Sequence, residues 1–106
     1  MESIKNYIDN PEKDDGNIEY KIKLEYNEHK KLLILISQLC FRLCEGKDRC
    51  IYVIGITDDG IPIGITKDNL DKSLDILNDM CEKADSTISD IQTVDIKTNN
   101  EKINNL

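Results

Sequence analysis

With 106 residues, 39% of them hydrophobic, the chain has material for one small domain and a limited core. Its formal net charge of −7 repels nucleic acid at long range, so contact with RNA would require a local basic patch. No stretch is long and apolar enough to span a membrane and the start is polar and charged, so a cytoplasmic location and four reduced cysteines are expected.

Residues 1–16 are polar, with Asn10-Pro11 and Asp14-Asp15-Gly16 as breakers, and read as a flexible arm. A single α+β domain is expected over residues 17–96, followed by a disordered tail over 97–106. From Ile18 the pattern alternates. Ile18, Tyr20, Ile22 and Leu24 interleave with Glu19, Lys21, Lys23 and Glu25, which predicts a strand with one wet face. Asn27 is placed to cap a helix over residues 28–45. Leu32, Ile36, Leu39 and Leu43 form its apolar stripe, widened by Leu33, Leu35, Cys40 and Cys44, and Gly46 is placed to end it.

Residues 51–65 read as two apolar strands joined by the turn Thr57-Asp58-Asp59-Gly60. Gly60 supplies the positive φ of the turn. Gly55 and Gly64 mark a bulge or a close approach by backbone or ligand, and Pro62 belongs at a strand start or edge. Thr66 caps a second helix over residues 67–83, with Asp68 in its first turn and Leu70, Leu74, Leu77 and Cys81 at helical spacing. A last, less regular strand is expected over residues 86–96, anchored by Ile88, Val94 and Ile96. The order βαββαβ predicts a ferredoxin-like sandwich: an antiparallel four-stranded sheet with both helices on one face and the other face open.

Chemistry-bearing residues are few. The one histidine, His29, falls at a helix start and has no catalytic partner in the pattern. Cys40, Cys44, Cys50 and Cys81 do not match a zinc spacing and read as small apolar residues. Asp58 and Asp59 fit a turn better than a metal or acid–base site. A phosphate-cradling Gly-x-x-x-x-Gly-Lys-[Ser/Thr] loop does not occur, so no nucleotide or other cofactor is expected and the chain reads as a non-enzyme. Lys30, Lys31, Arg42, Lys47 and Arg49 gather in and after the first helix and form the candidate partner-binding set, while Gly55, Asp58, Asp59, Gly60 and Gly64 form a structural hairpin.

Four blocks in register carry a resemblance: Glu19-Tyr20-Lys21-x-Lys23-Leu24; Gln38-x-x-x-Arg42-Leu43-x-Glu45-Gly46; Tyr52-x-Ile54-Gly55-x-x-Asp58-x-Gly60-x-x-x-Gly64; and Ser73-Leu74-x-x-Leu77-x-x-Met80-x-Glu82-Lys83. Together they resemble the N-terminal domain of the GTP-binding-protein-one-and-two family, translational GTPases related to elongation factor Tu. The resemblance spans about residues 16–94. It implies a binding or regulatory module, with a GTPase core in cis or the translation machinery (ribosome or RNA) as partner. It carries over no nucleotide-binding residue. The hairpin is also similar, over residues 51–65 alone, to AlbA-type nucleic-acid-binding domains, which would imply nucleic-acid binding or nucleolysis through Asp58 or Asp59. A small ligand-sensing ferredoxin-like domain, using the close backbone at Gly55 and Gly64, is the third reading.

Overall fold

A computed structural model of the chain describes residues 4–96. Strand β1 (Ile18–Lys21) leads into helix α1 (His29–Glu45), which returns the chain to strand β2 (Ile51–Ile54); a loop then leads into helix α2 (Lys67–Lys83). The strands pair in parallel, Ile18 opposite Ile51 through Lys21 opposite Ile54. Parallel neighbours need a crossover longer than a hairpin, and α1 supplies it.

This corrects the expected ferredoxin-like fold. Among the described residues the sheet has two parallel strands, not four antiparallel ones. The return of the hairpin fails as a strand for a local reason. Pro62 has no N–H to give to a ladder. Gly55 and Gly64 sit at φ of 93° and 78°, so the chain curls, and the N–H groups of Ile63 and Gly64 both converge on the carbonyl of Gly55. Only one isolated bridge, Ile56 with Pro62, remains of the expected pairing. Residues 86–96 form no strand either. Ser86 turns back to the Cys81 carbonyl through its N–H and hydroxyl, and Ile88 tucks against the helices. Ile91 and Val94 are left exposed. The expected tail over 97–106 lies outside the described residues.

The first strand is also shorter than its alternation implies. After Lys21 the chain leaves the sheet for α2. There Leu24 is buried, its N–H donating to Ser73 Oγ at 2.9 Å and its carbonyl accepting from the same hydroxyl. Leu24 thus joins Leu32 and Leu39 of α1 and Leu77, Met80 and Cys81 of α2 in the main core. Leu24 keeps the period-2 spacing but is buried against a different partner, and Ile22 between it and Tyr20 is exposed.

Helix ends follow side-chain chemistry in one case and sterics in another. Thr66 caps α2, its Oγ1 accepting from the Asn69 N–H at 3.2 Å. At α1 the cap residue is Glu28 rather than Asn27, and no side chain caps the turn. Gly46 closes α1 at φ −99°, an ordinary value. Glycine is required there by space: an added Cβ would strike the Arg49 carbonyl and lie 2.6 Å from Asn17 Cβ.

The two faces of the sheet are reversed from the wet-and-dry reading. Glu19 and Lys21 share a face with Tyr52 and Ile54, and that face lies under the helices. The opposite face carries Tyr20 and Val53, buried with Tyr7 and Ile56 and flanked by Ile4, Ile18 and Ile51. Residues 4–16, read as an arm, run across this face. Tyr7 meets Tyr20 edge-on with ring centroids 6.3 Å apart.

A buried arginine clamp and the candidate interaction surfaces

Arg42 lies in the apolar stripe of α1 between Leu39 and Leu43 and is 4% exposed. A guanidinium buried there demands carboxylate and carbonyl partners. It finds them across the fold. Nε donates to Glu19 Oε1 at 2.8 Å, Nη1 to the carbonyls of Asp15 and Gly16 at 2.9 Å, and Nη2 to the carbonyl of Lys13 at 2.9 Å. Glu12 Oε2 lies 3.6 Å from Nη2 and also accepts the Tyr20 N–H at 2.6 Å on the outer edge of β1. One side chain thus fastens α1 to β1 and to the arm.

Burial raises the pKa of Glu12, the neighbouring Glu19 and Asp58 carboxylates push the same way, and the bond from Tyr20 opposes them. Lys21 Nζ beside the clamp donates to Gln38 Oε1 at 2.7 Å. Glu19, Lys21, Gln38, Arg42 and Ser73 all belong to the resemblance blocks. In the structure each holds elements together.

The remaining basic residues do not form one patch. Lys30 and Lys31 are exposed at the start of α1, and Lys47 and Arg49 are exposed beyond its end. A helix of this length separates the pairs by about 25 Å. Arg42 lies inward between them.

The hairpin residues are held by the arm. Asp58 and Asp59 are exposed at the turn, and the Asp58 carbonyl accepts from the Glu12 N–H at 2.7 Å. The Gly60 carbonyl accepts from the Asp9 N–H at 2.7 Å. Gly60 sits at φ 87°, with the Asn10 backbone where a Cβ would stand. The backbone close to Gly55 is that of Gly64: an added Cβ would lie 3.3 Å from its carbonyl carbon.

All four cysteines are free thiols. Cys40 and Cys44 are exposed rather than part of the apolar stripe, Cys81 is buried, and burial raises the Cys50 thiol to about 11. Among the described residues no three metal-ligating side chains come together. The Tyr52 hydroxyl is buried with no hydrogen-bond partner there, and burial raises its pKa.

Two features escaped the sequence pattern. One is the clamp, whose signal was an arginine inside an apolar stripe. The other is a second apolar ridge on α1, Leu33, Ile34 and Phe41, each about half exposed. With Lys30, Gln38 and Asp14 it borders a shallow groove beside the arm. The pattern assigned Leu33 to the core and did not separate the two faces.

Fold and surfaces together define a small βαβ unit with an added helix, built round an internal ion-pair frame and carrying an exposed apolar ridge. By sequence the chain is related to part of a GTP-binding protein. It is 39% identical over 79 residues to GTP-binding protein 2 of mouse, and equally to GTP-binding protein 2 of human. The match covers 74% of this chain and 13% of each relative, so the chain corresponds to a small part of their length. No family model matches the chain. No solved structure matches it. No helix among the described residues is long and apolar enough to cross a membrane.

Proposed function

We propose that the chain is a non-catalytic binding module of a translational GTPase, acting on a GTPase core or on the translation machinery. The observation that carries this reading is the similarity to a limited stretch of GTP-binding protein 2. The sequence blocks that resemble that family occupy the internal frame of the fold, which supports a shared scaffold. The absence of a phosphate-cradling loop from the sequence supports a role beside the nucleotide site.

The docking surface is the outward face of α1, where Leu33 and Ile34 stand exposed beside Lys30 and Lys31. An apolar ridge edged by lysines suits a partner surface with apolar pockets and acidic or phosphate groups. The test mixes the chain with ribosomes, and separately with human GTP-binding protein 2 deleted for its matching stretch. Binding to either partner is expected, and Ile34→Asp should abolish it while leaving the melting temperature within a few degrees. A wild-type chain that binds neither would overturn the reading. Calorimetry with GTP and magnesium should give no saturable heat; a micromolar dissociation constant would overturn the non-catalytic part.

A further inference from the structure

Helix α1 carries charges of both signs at the ends its own dipole disfavours. Lys30 and Lys31 stand in its first turn, which holds no acidic residue and no side-chain cap, and Glu45 stands in its last. A helix N-terminus disfavours cations and a C-terminus disfavours anions. Between these ends Lys30, Ile34, Ser37, Phe41 and Glu45 recur every three or four positions. All five are exposed, so they form one outward seam opposite the buried Leu32, Leu39 and Arg42. The arm adds to the acidic end. Asp14 lines the same groove as Lys30, Ile34 and Phe41. Arg42 holds the carbonyls of Asp15 and Gly16, and Glu45 Oε1 accepts the Gly16 N–H at 3.0 Å, so residues 14–16 lie beside the second half of α1.

We infer that this seam is a self-association site, in which α1 packs antiparallel on α1 of a second copy of this chain about a two-fold axis beside Ser37. Ile34 of each copy then meets Phe41 of the other, Leu33 flanks the contact, and the small Ser37 lets the helices approach. The lysine end of each helix comes beside Asp14 and Glu45 of the other, twice over by symmetry. The opposed helix dipoles add to the attraction.

Charge selects a second copy as the occupant. Lys30, Lys31, Asp14 and Glu45 are exposed, and none is in an ion pair among the described residues. Their complement is a surface with an apolar centre and the charges in reverse order, and the chain itself presents one. Glu28 and Lys13 reduce the contrast between the two ends without reversing it. Lys47 and Arg49 follow the turn that leads down to the sheet, where Asn17 Nδ2 bonds the Arg49 carbonyl, and neither lines the groove. The close pairs offset the longer-range repulsion between two chains that each carry −7, which salt screens. The seam belongs to the docking face proposed above, so the inference rests on that face being an interface, and it makes a second copy a competitor of the GTPase or ribosomal partner.

The test is sedimentation of the full chain alone, from micromolar to millimolar concentration. A dimer is expected, and Ile34→Asp should abolish it. Two charge variants then read the geometry. Lys30→Glu with Lys31→Glu should raise the dissociation constant on the order of ten-fold, and Asp14→Lys with Glu45→Lys should do the same. Mixed together, the two variants should associate at least as tightly as the wild type, because each presents the charges that the other now faces. The changes at positions 30, 31 and 45 suit the helix dipole, so thermal melts should show both variants folded. Ile34→Asp, outside the charge set, decides even if one of them misfolds. A chain monomeric at millimolar concentration would overturn the inference. So would a dimer unmoved by Ile34→Asp, or a mixture no tighter than its components. Sedimentation uses no partner, so a monomer that binds ribosomes or GTP-binding protein 2 refutes self-association alone, and a dimer that binds neither refutes the docking reading alone.

Discussion

At the scale of single residues, Arg42 sets the expectations. Its guanidinium is spent on Glu19 and on the carbonyls of residues 13–16. Arg42→Met leaves the buried Glu19 carboxylate with Lys21 alone, whose Nζ lies 3.5 Å from Oε2; breaking a buried pair costs about 3–5 kcal/mol, and the loss here is smaller by what Lys21 retains. Replacing both, Arg42→Met with Glu19→Leu, should recover a good part of that cost, because the desolvation penalties vanish together. Urea unfolding of the two single variants and the double one checks this; a double variant as unstable as the sum of the singles would show the carbonyl bonds to be the larger contribution. Glu12 gives a pH dependence. Its pKa is raised in the folded chain, so the protonated form is favoured by folding. Its contribution is full below the ordinary glutamate value of 4.5 and is lost as pH rises through the raised folded value. Melting scans across that window should show the wild type losing ground to Glu12→Gln as pH rises. A wild type that instead gains on the variant would place the pKa shift in the other direction.

At the scale of elements, the turn and the helices differ in how openly they were written. Helix α2 was legible to its bounds, because Thr66 caps it and Leu70, Leu74, Leu77 and Cys81 keep one period. Helix α1 was legible in extent. Its two faces were not, since Leu33, Ile34 and Phe41 give it apolar residues almost all round. The sheet was misread because strand propensity at Ile61, Ile63 and Ile65 is a local signal. Two glycines at positive φ and a proline without an N–H override it. Glu19 could not be placed by pattern at all: its partner lies 23 positions away, and alternation alone assigns it to water. The turn itself yields a sharp contrast. Gly60→Val meets both an unfavourable φ and the Asn10 backbone, and should cost on the order of 1–3 kcal/mol through strain, or more where the arm is displaced. Asp59→Asn, exposed and turn-compatible, should stay within about 0.5 kcal/mol of wild type. A pair of thermal melts checks both, and equal losses would show that the Asp59 carboxylate has a role beyond the turn.

At the scale of the whole molecule, the arm decides what counts as the domain. Composition marks residues 1–16 as a dispensable lead-in, yet residues 4–16 supply one layer of the structure. Tyr7 is buried against Tyr20, Asp9 and Glu12 bond to the turn, and the carbonyls of Lys13, Asp15 and Gly16 close over Arg42. Removing them uncovers the Tyr20 and Val53 face and strands a buried cation with one carboxylate. Burial of one large side chain is worth about 1.5–3 kcal/mol. The lost bonds to the guanidinium add a comparable amount. Against a total stability of about 5–15 kcal/mol for a small domain, that is a large share. A chain started at Asn17 should therefore melt at least about 10 °C below the full chain, or fail to fold. Thermal melts and dye binding to exposed apolar surface check it. Unchanged melting would return the arm to the status of a tether, with the clamp closed by water in place of the carbonyls. If the expected loss appears, Arg42→Met and the truncation should be far from additive when combined, because both act through the same guanidinium.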